Sequence, residues 1–189
     1  MAYRNGTYIA FHANDTPNPT ESDMKYYNTL KMWKVREDND FNFINSHEKT
    51  SSVRDTSKKE TLQDSLVERM SNSKNMILII GDTTRLDTDW VPAEITDAID
   101  RCKIPIIAAY TDYLRITKPS ELSYLWPSAL ATRINNGVAH VIHVPFKKEP
   151  LAHAVTTFSH DFYPNGGGIG VYDTVTYQDW YRIWGINWS

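Results

Sequence analysis

Residues Thr7-Tyr8-Ile9-Ala10-Phe11 form a short uncharged run of β-branched and aromatic side chains, ended by the polar, proline-bearing stretch 12–19. That pattern predicts a first strand and a loop. Thr20 and Asp23 resemble a capping box, and Tyr26, Leu30 and Trp33 recur at helical spacing, which predicts a helix over 21–34. Phe41-Asn42-Phe43-Ile44 predicts a short second strand. After the polar run 45–56, Ser57 and Glu60 make an S-x-x-E box that opens a helix with Leu62, Leu66, Val67 and Met70 on its buried face.

Asn75-Met76-Ile77-Leu78-Ile79-Ile80 shows no alternation of polar and apolar positions, as expected of a central strand covered by helices on both faces. The cluster 82–89 that follows Gly81 predicts a loop rich in N-cap residues, and Pro92 fits only the first turn of the next helix. Val91, Ile95, Ala98, Ile99 and Cys102 form the expected inner face of that helix. Further on, 104–110 predicts a fourth strand, 119–134 a helix broken at Trp126-Pro127, and 138–144 a fifth strand. Leu151, Ala154, Val155 and Phe158 mark a last helix.

Five alternations of strand and helix call for a parallel sheet wrapped by right-handed crossovers, that is, an α/β, flavodoxin-like fold with strand order 2-1-3-4-5. Ligands of such sheets bind outside the carboxyl ends of the strands where the winding reverses. Here that place is defined by the loop after Phe11, the loop after Gly81 and the start of the helix near Trp90. The run Pro164-Asn165-Gly166-Gly167-Gly168-Ile169-Gly170 reads as a flexible linker. Beyond it Tyr177, Trp180, Tyr181, Trp184 and Trp188 fall near one helical face, so a domain over 1–163 and an aromatic appendage over 164–189 that docks on a surface are expected.

Composition narrows the class. With 189 residues, 41% hydrophobic and 23% charged, the chain has the size and makeup of one packed domain. Its apolar runs are far short of the roughly 20 residues that cross a bilayer, and the amino-terminal residues lack a signal-peptide core. One cysteine, Cys102, allows no internal disulfide, and a net charge of −3 gives no footprint for nucleic acid. A cytoplasmic protein with a small ligand, no membrane and no nucleic-acid partner is the expectation.

Trp90 and Glu94 lie four residues apart, on one face of the predicted helix. Asp97 and Arg101 continue that face, which differs from the face of Ile95 and Ile99. Both side chains are therefore expected to point away from the core, beside the cleft. Spacing alone leaves two readings, a catalytic carboxylate beside a ring, or a Glu that complements the helix dipole beside a Trp that covers the helix end. His140 and His143, three apart on a strand, should face opposite ways, which argues against a shared metal. The glycine run follows a helix and lacks the strand, Lys and Ser/Thr of a phosphate-binding loop.

Taken together, Tyr8-Ile9-Ala10-Phe11-His12, Met76 to Thr84 and Trp90-Val91-Pro92-Ala93-Glu94-Ile95 resemble a Toll/interleukin-1 receptor (TIR) domain. More narrowly they resemble the TIR-like branch that includes ThsB of the bacterial Thoeris anti-phage system, over roughly residues 6–160. Trp-x-x-x-Glu is that superfamily's active-site signature. The resemblance implies that Glu94 is the catalytic glutamate of NAD+ cleavage, with Phe11, His12, Asn14, Ser46, Asp82, Thr83 and Trp90 near the substrate. NAD+ would be a substrate, with no separate cofactor and no metal. Trp90 or Phe11 would stack on a ring, and backbone N–H groups near Thr83, Thr84 and Asp89 would meet phosphates.

Family members often carry Ser or Asp soon after the first strand, where this chain has His12-Ala13-Asn14-Asp15, and an acidic residue after the second, where it has Asn45-Ser46-His47. The implied function is an enzyme that makes an ADP-ribose-derived nucleotide, by cyclisation or transfer, to activate an effector protein. A phage-derived trigger and a homo-oligomer are implied partners. The rival readings are a non-catalytic TIR-like assembly module and a nucleoside deoxyribosyltransferase-like enzyme.

Overall fold

The computed structural model describes residues 4–13, 23–36 and 59–183. Four adjacent strands make its centre: β1 (Gly6–Ala10), β2 (Ser73–Ile80), β3 (Ile106–Tyr110) and β4 (Val141–Pro145). All pair in parallel, with Tyr8 opposite Met76, Met76 opposite Ile106 and Ile106 opposite Val141. Every residue of β1, β3 and β4 is buried, which explains why none of them shows polar alternation.

Helices cover both faces. On one, α2 (Lys59–Ser71), α3 (Trp90–Thr96) and α4 (Ser128–Asn135) bring Leu66, Met70, Val91, Ile95 and Leu130 onto Tyr8, Met76, Leu78 and Ile106. On the other, α1 (Met24–Arg36) and α5 (Lys148–Thr157) bring Tyr27, Leu30, Leu151 and Val155 onto Ile9, Ile77, Ile79 and Ile107. Buried Asn75 ties the elements together, accepting from Thr7 Oγ1 at 2.7 Å and donating to the carbonyls of Val155 and Phe158 at the end of α5. Those carbonyls would otherwise be orphans of a helix end.

The expected break at Trp126-Pro127 is present. A 3-10 segment, Pro119–Leu125, ends there and α4 begins at Ser128, with Pro127 in extended conformation. Beyond α3 the helix widens into a π turn over Asp97–Arg101.

Among the described residues the sheet order is β1-β2-β3-β4-β5, in which β1, β2, β3 and β4 are the expected first, third, fourth and fifth strands in the expected succession, and β5 is an added edge strand. The expected second strand, 41–44, lies outside the described residues. At the other edge β5 (Gly170–Val171) pairs in parallel with β4, and it comes from the glycine run read as a flexible linker. Those glycines serve close packing. A Cβ on Gly170 would lie 2.6 Å and 2.7 Å from the carbonyl oxygens of Asn165 and Val141, and one on Gly168 would lie 2.9 Å from Ile134. Only hydrogen fits there.

The last helix, α6 (Thr174–Ile183), packs against the segment that follows β3 in the same chain. Tyr177 and Tyr181 are buried, and their hydroxyls donate to the carbonyls of Ile116 and Leu114. Tyr172 and Trp180 meet edge to face at 5.0 Å. Trp184 and Trp188, expected on the same face, lie outside the described residues. Among the described residues no helix is long and apolar enough to cross a membrane.

Candidate active site at the ends of strands one and two

Glu94 overturns the expectation that it points away from the core. It is 4% exposed, and its Oε1 accepts a 2.6 Å hydrogen bond from the hydroxyl of Tyr8, which is fully buried in β1. The reason lies in helix geometry. Glu94 stands three residues after Val91 and four before Ala98, both fully buried, and so shares their stripe. Oε2 is buried with no hydrogen-bond partner among the described residues.

Burial pushes the Glu94 carboxyl up to about 8, with a smaller push from the charges of Asp87 and Asp97, while the Tyr8 hydrogen bond pulls it down. The group is therefore mostly neutral at pH 7 and ionises within reach of physiological pH. A buried polar atom without a partner costs about 1–3 kcal/mol, which a ligand group hydrogen-bonded to Oε2, or a cation beside the ionised carboxylate, would offset.

Trp90, also expected to face outward, is half-buried and packs on the α2/α3 side of the core. Asp87 caps this helix: its Oδ1 accepts from the N–H groups of Asp89 and Trp90 at 2.9 Å and 3.0 Å. The donors at the helix start, expected to meet phosphates, are thus occupied by a carboxylate. The N–H of Gly81 is likewise taken, by Thr84 Oγ1 at 2.8 Å.

The loops after β1 and β2 do meet. His12 Nδ1 lies 3.3 Å from Thr83 Oγ1, and Thr84 Oγ1 donates to Oδ2 of Asp23 at 2.9 Å. Asp23 is 5% exposed, at the start of α1, and lies so close over Gly81 that a Cβ there would come within 2.5 Å of its Oδ1. Burial holds its carboxyl above the usual range, opposed by the Thr84 hydrogen bond and by His12. Asp82 is exposed beside this cluster.

Phe11 is not brought to the side of Glu94. It is buried on the opposite face of the sheet, stacked on Tyr27 at 5.0 Å, because β1 alternates its side chains and Phe11 follows Ile9 rather than Tyr8. Asn14 and Ser46 lie outside the described residues. Sequence reasoning missed Tyr8 and Asp23, and it read Thr84 only as a backbone donor rather than through its hydroxyl. The Val91–Glu94–Ala98 spacing was the available signal that Glu94 is buried, but nothing in an all-buried strand distinguishes Tyr8.

Two other features lie elsewhere. His143 is buried in β4 and His140 stacks on Tyr163 at 4.1 Å, so the two histidines do face apart. A cleft of about 270 Å3, lined by Lys103, Ile104, Val138 and His140 among others, opens before β3 and β4, at the end of the sheet opposite to the loops after β1 and β2.

The geometry is that of a buried carboxyl, held at one oxygen and unsatisfied at the other, in the first turns of the helix after the β2 loop and hydrogen-bonded to the middle residue of β1. A family model described as the TIR-like domain of Thoeris protein ThsB matches residues 8–116. That span is more than half of the 189-residue chain and contains both Tyr8 and Glu94. With a match over that span, the chain belongs to the family of Thoeris ThsB TIR-like domains.

Proposed function

We propose that this chain is an NAD+-consuming enzyme that breaks the nicotinamide–ribose bond and makes an ADP-ribose-derived signalling nucleotide, which activates an effector protein in Thoeris defence. The observation that carries this reading is the Glu94 carboxyl, buried and anchored by Tyr8 with Oε2 unpartnered, at the glutamate of the Trp-x-x-x-Glu element.

The bond electrons leave with the nicotinamide nitrogen, which departs neutral, and positive charge develops on the ribose ring. Ionised Glu94 opposes that charge or binds the ribose hydroxyls. Nicotinamide, cationic in the substrate, is already a good leaving group and needs no strong general acid. An acceptor then bonds to the anomeric carbon and loses a proton. An atom of the same nucleotide gives a cyclic ADP-ribose isomer, another small molecule gives a conjugate, and water gives ADP-ribose. Trp90 supplies an aromatic surface, and His12, Thr83 and Asp82 supply polar contacts. NAD+ is the substrate, and no further cofactor is invoked. A phage-derived trigger and assembly of several copies fit the family's role in defence.

The test is incubation with NAD+ and, separately, with deoxynucleosides, with all products identified by mass spectrometry. Protein from resting and from phage-challenged cells should be compared with Glu94→Gln. Nicotinamide release by the native protein from challenged cells, lost in the variant, is the expected result. Exchange of deoxynucleoside bases would favour a deoxyribosyltransferase, and inertness toward both substrates in both preparations would leave the assembly module.

A further inference from the structure

We propose that Tyr8 is a positioning residue for Glu94: its phenol pins Oε1, fixing the carboxyl rotation so that Oε2 is the oxygen left for a ligand. Tyr8 is fully buried in an otherwise apolar strand core, where a phenylalanine would pack equally well. Its hydroxyl hydrogen is committed to Oε1 at 2.6 Å, 86 residues away in sequence. The contact joins β1 to α3, so the orientation of the carboxyl depends on the sheet rather than on its own helix.

A carboxyl on a helix rotates freely about its last torsion unless one oxygen is held. Holding Oε1 leaves Oε2 with one defined position, buried and, among the described residues, without any hydrogen-bond partner. The same bond works on charge. Among the described residues, the ionisable groups that act on Glu94 are Tyr8 from β1, Asp87 from the loop before α3 and Asp97 from the π turn. The two aspartates disfavour its ionised form, and of the three only the Tyr8 hydrogen bond favours it. Tyr8 thereby lowers the pH at which Glu94 carries its charge. The positioning role stands on geometry; its consequence for rate rests on the NAD+-cleaving reading given above.

Side-chain carboxyl NMR of 13C-labelled glutamate tests the role without reference to any reaction. The full chain, Tyr8→Phe and Glu94→Gln are titrated, the last to assign the Glu94 resonance. The Glu94 midpoint is expected to rise by about one pH unit in Tyr8→Phe, as for loss of a hydrogen bond to a carboxylate. In the native protein the Tyr8 Cζ resonance should titrate with the same midpoint as Glu94, a measurement that needs no substitution and survives if Tyr8→Phe fails to fold. The alkaline rise of kcat/KM for NAD+ should move with the NMR midpoint. An unchanged midpoint in Tyr8→Phe, or a Tyr8 resonance blind to Glu94, overturns the positioning role. A shifted midpoint in a protein that never cleaves NAD+ leaves that role intact and defeats the enzymatic reading alone.

Discussion

His143 donates its Nε2 proton to the carbonyl oxygen of Gly168 at 2.9 Å, joining β4 to the glycine turn that leads into β5. A carbonyl only accepts, so the tautomer follows, and Nδ1 must accept the hydroxyl proton of Tyr110 at 2.7 Å. Tyr110 in turn accepts from Trp126 Nε1 at 2.7 Å. Every proton in this buried chain has one direction, and a charged imidazole would spoil it.

Acid should therefore loosen this edge of the sheet. Burial holds His143 down at about 4, below the ordinary histidine value of 6.5. A depressed folded value means that the stabilisation is complete above pH 6.5 and is lost as pH falls toward 4. The loss amounts to about 3 kcal/mol over that window. Urea unfolding at pH 7 and pH 4 should show native protein losing more stability than His143→Gln, and parallel losses would refute the assignment.

Glu94 works in the opposite sense. Its folded value is raised to about 8 from 4.5, so its contribution is complete below pH 4.5 and is lost as pH rises through 8. Relative to Glu94→Gln, which keeps the shape without the titration, native protein should lose several kcal/mol between pH 5 and pH 9. Equal pH dependence of the two in denaturant melts would show that the carboxyl is not buried in solution.

The same group sets the expected rate profile. kcat/KM reports the ionisation of the free enzyme, so it should climb with pH to a plateau above about 8. Bound NAD+ places a cationic ring beside the carboxyl and favours its ionised form, so the limb in kcat should fall at lower pH. A kcat/KM profile flat from pH 6 to 9 would remove Glu94 from the chemistry.

Trp90→Ala should harm both folding and activity. The ring is half-buried against the α2/α3 side of the core, so about 2 kcal/mol of stability should go with it, less than for a fully buried tryptophan. KM for NAD+ should rise as well. An unchanged melting temperature would show that the ring serves the cleft alone.

Gly170→Ala should detach the last strand. Its Cβ would sit within 2.7 Å of two backbone oxygens, which cannot give way as a flexible side chain would. A loss of about 1–3 kcal/mol is expected, together with faster hydrogen exchange over 170–183. Unaltered protection there would mean that β5 is not held by this packing.

What the sequence determined by itself was the alternation. Buried runs such as 75–80 and 106–110 have no polar face, so they had to lie inside a sheet covered on both sides, and proline at 127 had to interrupt a helix. The Trp90-x-x-x-Glu94 element located the candidate carboxyl. Tertiary structure alone decided what met what. The Val91–Glu94–Ala98 spacing puts Glu94 on the buried stripe of its helix, but only the placement of β1 beside α3 gave its carboxyl the Tyr8 hydroxyl as a partner. The three-residue spacing of Tyr8 and Phe11 puts them on opposite faces of the strand, yet only the tertiary structure decided which of the two faces meets Glu94. The glycine run reads as flexible in one dimension because glycine lowers local order, whereas in three dimensions the absent side chains let Gly168 and Gly170 pack against Ile134 and the sheet edge. Periodicity is local and survives in the sequence; partners and close approach depend on residues tens of positions away.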